Sequence, residues 1–198
     1  MSMEIPYNTE IRPDTGVTNP TLGIWLFLAS EVMLFGSLLS AYALIRGGAA
    51  TWPDQSAILS VPLGALNTAL LVLSSVTIGR AAASLRESNV DRYRLFMGIT
   101  LLLGMVFLSI KGYEWSDHLA HGLRPATSNF LGLYFTMTGV HALHLAAGIL
   151  VNGFLWGPGM RMWKAEPARY ASRIAVARKY WNFVDGVWVA LFVVLYLL

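Results

Sequence analysis

Cysteine is absent from the 198 residues of this chain. That excludes disulfides, thiolate metal sites, iron–sulfur clusters and a cysteine nucleophile. Charge is scarce as well. Asp, Glu, Lys and Arg make up 13% of the sequence, against roughly 25% in an ordinary soluble domain, too few to cover a soluble surface of this size. There is no phosphate-binding glycine loop, no zinc-ligand spacing and no internal repeat. A cleavable signal peptide is not expected: between Met1 and Asn19, Glu4, Glu10 and Asp14 outnumber Arg12, so no basic region leads into a short apolar core.

What the chain has instead is apolar length. Hydrophobic residues reach 56% and gather in five runs, Leu22–Ile45, Val61–Ala83, Leu95–Tyr113, Phe130–Trp156 and Trp181–Leu198. Each approaches the ~20 residues that carry a helix across ~30 Å of hydrocarbon. The runs are continuous rather than alternating, which excludes barrel strands. The expected fold is all-α, an integral membrane bundle of five transmembrane helices, with a tail over residues 1–20 and one domain over 21–198. Connectors are well marked: Gly47-Gly48 with Trp52-Pro53-Asp54, the charged hairpin Arg86 to Arg94, His121-Gly122 with Arg124-Pro125, and Gly157-Pro158-Gly159.

The basic residues set an expected orientation. Arg12, the group Arg80, Arg86, Arg92 and Arg94, and the group Arg161, Lys164, Arg169, Arg173, Arg178 and Lys179 fall on one side of the membrane. Only Arg46, Lys111 and Arg124 fall on the other. The N-terminus is therefore expected in the cytoplasm and the C-terminus outside.

Polar residues within the runs need a reason to be there. Glu31 sits mid-run, where a carboxylate costs about 2.5–3.5 kcal/mol or more to insert. It reads either as a proton-linked or ligand-linked acid, or as a protonated acid tying helices together. His141, His144, Gly148 and Asn152 step by 3, 4 and 4 along one helical face. Two histidines on one face cannot grip opposite sides of a haem, and Glu-x-x-His pairs on facing helices, as in a di-metal bundle, do not occur. Interhelical hydrogen bonds or contact with a lipid head group are the alternative. Lys111 and Glu114, at i, i+3, read as a structural polar pair, with Lys111 snorkelling at the outer end of its run. Asp185 lies one turn inside the last run, within expected reach of Arg178. An aspartyl protease would need a second intramembrane aspartate, and the other runs hold none.

Longer stretches carry a family resemblance. Ala29-Ser30-Glu31-Val32-Met33-Leu34-Phe35 with Ala41-Tyr42, Pro62 through Asn67-Thr68 to Thr77, Gly112-Tyr113-Glu114-Trp115, Thr138 to His144 and Tyr180 to Trp188 resemble, in order, segments of subunit III of the haem-copper terminal oxidases, the cytochrome c oxidase subunit III family. The resemblance spans about Thr21 to Leu198 and is to the short, five-helix bacterial form. Three positions depart from it: Asn182 stands where the family has histidine, Ala142 where it has glycine and Gly186 where valine is common.

The resemblance implies an accessory, non-redox subunit of a proton-pumping oxidase in the bacterial inner membrane, with no catalytic centre of its own. No metal or cofactor would be bound by this chain. Haem and copper would belong to partner subunits, with direct contact to subunit I, then subunit II, small subunits or a respiratory supercomplex. Membrane lipids, including structural phospholipids, would be partners, and nucleic acid would not. The lipid-linked or proton-linked candidates are Glu31, His141, His144, Asp185, Arg173, Arg178 and Lys179, with roles in stabilising subunit I, proton uptake and oxygen access. Other readings are a quinol oxidase subunit III, a nitric-oxide reductase accessory subunit of the same family, or a small proton-coupled transporter working through Glu31 and the His141/His144 face.

Overall fold

The computed structural model describes residues 7–198, so the first six residues of the expected tail lie outside the described part. The described chain is helical, with no strand among its residues. The elements are α1 (Asn19–Gly48), α2 (Gln55–Ile58), α3 (Val61–Arg86), α4 (Val90–Ala120), α5 (Asn129–Trp156), a 3₁₀ turn (Pro158–Met160), α6 (Arg161–Ala165), α7 (Pro167–Phe192) and a closing π turn (Val193–Leu197). Five helices, α1, α3, α4, α5 and α7, are long and apolar enough to cross a bilayer.

Local chemistry explains the ends. Pro20, Pro62 and Pro167 sit in the first turns of α1, α3 and α7, where a missing N–H costs nothing and φ is already helical. The side chains of Asn89 and Ser128 accept hydrogen bonds from Arg92 N and Leu131 N and so cap α4 and α5. Gly122, at φ +77°, turns the chain out of α4, a conformation open to glycine at little cost. Ahead of α1, the Arg12 guanidinium grips both oxygens of Asp14 at 2.8 and 2.6 Å. This hydrogen bond draws the Asp14 carboxyl down to a pKa of about 2.

The fifth helix is longer than the apolar run that announced it. It starts at Pro167 rather than Trp181. Arg169, Arg173, Arg178 and Lys179 therefore stand on helix, not in a loop. The apolar run ends where charge begins, but the backbone continues because nothing between Ala168 and Tyr180 breaks a helix. In the same way α4 extends past its run at both ends, to Val90 and Ala120.

Helix α7 is the axis of the packing. It lies against α3, α5 and α1, while α4 packs mainly on α3 and α5. Lipid tails are as apolar as leucine, so association rests on close fit rather than on expulsion of water. The fit is tightest around Trp181, which is fully buried. A Cβ added at Gly104 of α4 would lie 2.9 Å from its ring, and one at Gly148 of α5 would lie 3.1 Å away. The indole fills space left by two missing side chains. Helix α1 stands apart, packed mainly on α7 and α5, with 17% of its most apolar stretch buried. Its outer face shows Leu26, Met33 and Leu44, and that of α5 shows Leu143 and Leu150.

Candidate functional site

Polar side chains inside the bundle gather into three clusters. The innermost joins α4, α5 and the π turn. Lys111 Nζ donates to Glu114 Oε2 at 2.9 Å, to Tyr134 at 3.0 Å and to Tyr196 at 2.8 Å. Glu114 Oε1 accepts from both tyrosine hydroxyls, at 2.9 and 2.6 Å. All three ammonium protons are thereby used. Lys111 is 2% exposed, so the expected snorkelling at a membrane surface is corrected. Helix α4 runs on to Ala120 and leaves Lys111 within the bundle, where the π turn swings Tyr196 over it.

The second cluster joins α3 to α7. Asp185 Oδ2 accepts from Ser75 at 2.5 Å and from Ser74 at 3.1 Å, and Trp181 Nε1 donates to Ser74 Oγ at 2.8 Å. The Ser74 hydroxyl also points at the Leu71 carbonyl. Its single proton serves one acceptor at a time, so Ser75 makes the firmer bond. The expected pairing of Asp185 with Arg178 is not made. Both stand on one unbroken helix about two turns apart, and the Arg178 guanidinium lies beside Gly79 instead.

The third cluster sits where α1 meets α5. His144 Nε2 lies 2.9 Å from Glu31 Oε2, a charge-pair distance without full hydrogen-bond alignment. His144 Nδ1 lies 2.8 Å from the Val140 carbonyl, the Tyr180 hydroxyl donates to the His144 carbonyl at 2.9 Å, and the Phe35 ring meets the imidazole edge-on.

The two histidines thus part company. His141 is fully buried between Phe107 and Trp188, with no hydrogen-bond partner among the described residues. Three residues along a helix leave about 60° between side chains, enough to send one into the bundle and the other to α1. Among the described residues no group of three or more His, Cys, Asp or Glu stands where it could hold a metal ion.

Below Glu31 and His144 a groove of about 900 Å³ opens between α1, α5 and α7. Ile24, Phe27, Leu150 and Val176 make its apolar wall, and Arg169 and Arg173 stand at one end. Lys179 lies outside it, 3.5 Å from Thr21 Oγ1 and over the Trp25 ring. The sequence singled out the ionisable members of these clusters. It did not mark Tyr134 and Tyr196, and Tyr180, Ser74 and Ser75 entered only within stretches that carry the family resemblance. Their signal was a hydroxyl inside an apolar run.

The description "Cytochrome c oxidase subunit III" belongs to a family whose pattern matches residues 14–198. Subunit 3 of the cytochrome bo(3) ubiquinol oxidase of Pseudomonas aeruginosa is 31% identical over 199 residues, covering 98% of this chain and 92% of the relative. Cytochrome c oxidase subunit 3 of Thermostichus vulcanus is 35% identical, covering 89% and 86%. That of Bacillus sp. strain PS3 is 34% identical, covering 91% and 86%.

Proposed function

Because the chain belongs to the cytochrome c oxidase subunit III family, and is thus a multi-pass accessory subunit of the haem-copper oxidases, we propose that it packs directly on subunit I, stabilises it and lodges phospholipid. The observation that carries this is the groove between α1, α5 and α7: apolar along its wall, with Arg169 and Arg173 at one end. An acyl chain fits such a wall, and a head-group phosphate fits paired guanidinium groups. Basic groups near an anionic surface contribute about 1 kcal/mol each, a role that Arg178 and Lys179 would share.

Glu31 of α1 and His144 of α5 meet beside the groove and hold two of its walls together. His141 and Asp185 hold the bundle behind it. Haem and copper reside in partner subunits, subunits I and II of the complex, and small subunits or a supercomplex complete the assembly. Relatives from both cytochrome c and ubiquinol oxidases suit a chain that takes no part in binding the electron donor. The distribution of lysine and arginine supports a cytoplasmic N-terminus and an external C-terminus in a bacterial inner membrane, with residues 1–20 as tail and 21–198 as the membrane domain.

Affinity purification of the tagged chain in mild detergent tests the reading. The expected product carries haem-bearing subunits and phospholipid in fixed ratio. A chain that emerges alone and moves protons across liposomes by itself would instead be a transporter.

A further inference from the structure

The contact between α1 and α5 turns on a proton count. His144 Nδ1 lies 2.8 Å from the Val140 carbonyl oxygen. That oxygen can only accept, so Nδ1 carries the ring hydrogen. In a neutral imidazole Nε2 is then a bare lone pair, and it faces Glu31 Oε2 at 2.9 Å. An ionised carboxylate likewise only accepts. Two lone pairs at that distance repel, so the contact needs one more proton. The imperfect alignment weakens a neutral O–H···N bond more than it weakens a charge pair. The proton therefore rests on the imidazole, opposite the carboxylate.

We propose that Glu31 and His144 bind one proton between them and with it latch α1 onto α5 as a single net-neutral unit within the membrane. Among the described residues the other polar ties of α1 to the helices around it lie towards its ends: Lys179 with Thr21 at one, and Tyr42 with Gln55 and Arg46 with the Leu198 carbonyl at the other. Its central hold is this pair. The groups that face it are few. Tyr180 approaches from α7 and is occupied by the His144 carbonyl. His141 lies one turn back on α5, turned to Phe107 and Trp188. Asp185 on α7 is held by serines of α3. Among the described residues none of these forms an ion pair with the latch.

The latch is one-sided in pH. Loss of the shared proton leaves a carboxylate against a lone pair and frees α1. A second proton leaves the imidazolium N–H facing a neutral carboxyl, which still accepts. The hold therefore survives acid and fails as pH rises.

The test uses the co-purified complex in lipid nanodiscs, with spin labels at Met33→Cys on α1 and Leu143→Cys on α5. Both positions are exposed, and this chain has no cysteine of its own. The distance between labels should be narrowly distributed from acid to neutral pH and should broaden or lengthen in alkali. In Glu31→Gln the amide N–H meets Nε2 without titrating, so the distribution should stay narrow throughout. An invariant distance in the unmutated pair, or an equal alkaline response in Glu31→Gln, overturns the proposal. Should that variant fail to assemble, the reciprocal exchange Glu31→His with His144→Glu keeps the proton count and must show the alkaline opening; an assembled exchange without it also overturns the proposal. The inference needs the membrane bundle and not the assignment of partners, whose failure would already show at purification.

Discussion

A single lysine shows how far a residue's surroundings govern its meaning. Lys111 sits inside the bundle with a carboxylate and two hydroxyls meeting all three of its ammonium protons. Removing one partner of such a buried pair strands the other, at about 3–5 kcal/mol. Lys111→Met should therefore destabilise the protein by about that much, and the added change Glu114→Gln should recover part of the loss. Thermal unfolding of the purified complex checks both. An ionisable residue inside an apolar run stands out in any sequence, so Glu31, Lys111, Glu114, His141, His144 and Asp185 were legible as members of something. Their pairings were not. Nothing in the order of residues says that Asp185 will meet Ser75, 110 positions away, rather than Arg178 on its own helix. The setting of Lys111 is hidden for a related reason: the apolar run ends near it, but the helix continues to Ala120.

At the scale of the element, α7 shows both what an apolar run reveals and what it hides. Five spans were readable because crossing lipid demands length and apolarity, and both are local properties. The fourteen residues that α7 adds ahead of Trp181 are hidden because a helix needs only the absence of breakers, whereas a span needs apolar side chains. Departures from the family pattern also become intelligible on this helix. Asn182 and Gly186 lie on its exposed side, and a Cβ at Gly186 would meet nothing within 4 Å. Gly186→Ala should thus stabilise the helix by about 0.8–1 kcal/mol. Gly104→Val should do the reverse, because its Cβ would fall 2.9 Å from Trp181; overpacking of this kind costs about 1–3 kcal/mol. Parallel thermal melts of the two variants, expected to move in opposite directions, test the packing directly.

For the molecule as a whole, the four helices α3, α4, α5 and α7 close around a shared buried core, whereas α1 stands mostly exposed beside an open groove. Half of that division was foreseeable, since one domain with few ionisable groups points to a packed bundle. The groove was not, because it lies between α1, α5 and α7, and a space between three helices is not a property of any one of them. If Arg173 holds an anionic head group there, Arg173→Gln should weaken retention of anionic phospholipid by about fivefold, the equivalent of ~1 kcal/mol. Mass spectrometry of lipid extracted from the washed complex provides the measurement, and unchanged anionic lipid would remove this arginine from the site.

Trp181 has a consequence of its own. One flat ring acts as the spacer for α3 through Ser74, for α4 through Gly104 and for α5 through Gly148. Any change in its size or tilt must reach three neighbours at once. Drift along this chain's lineage at any one of those contacts is therefore tied to drift at the others, and they should be exchanged between related proteins as a set, never singly.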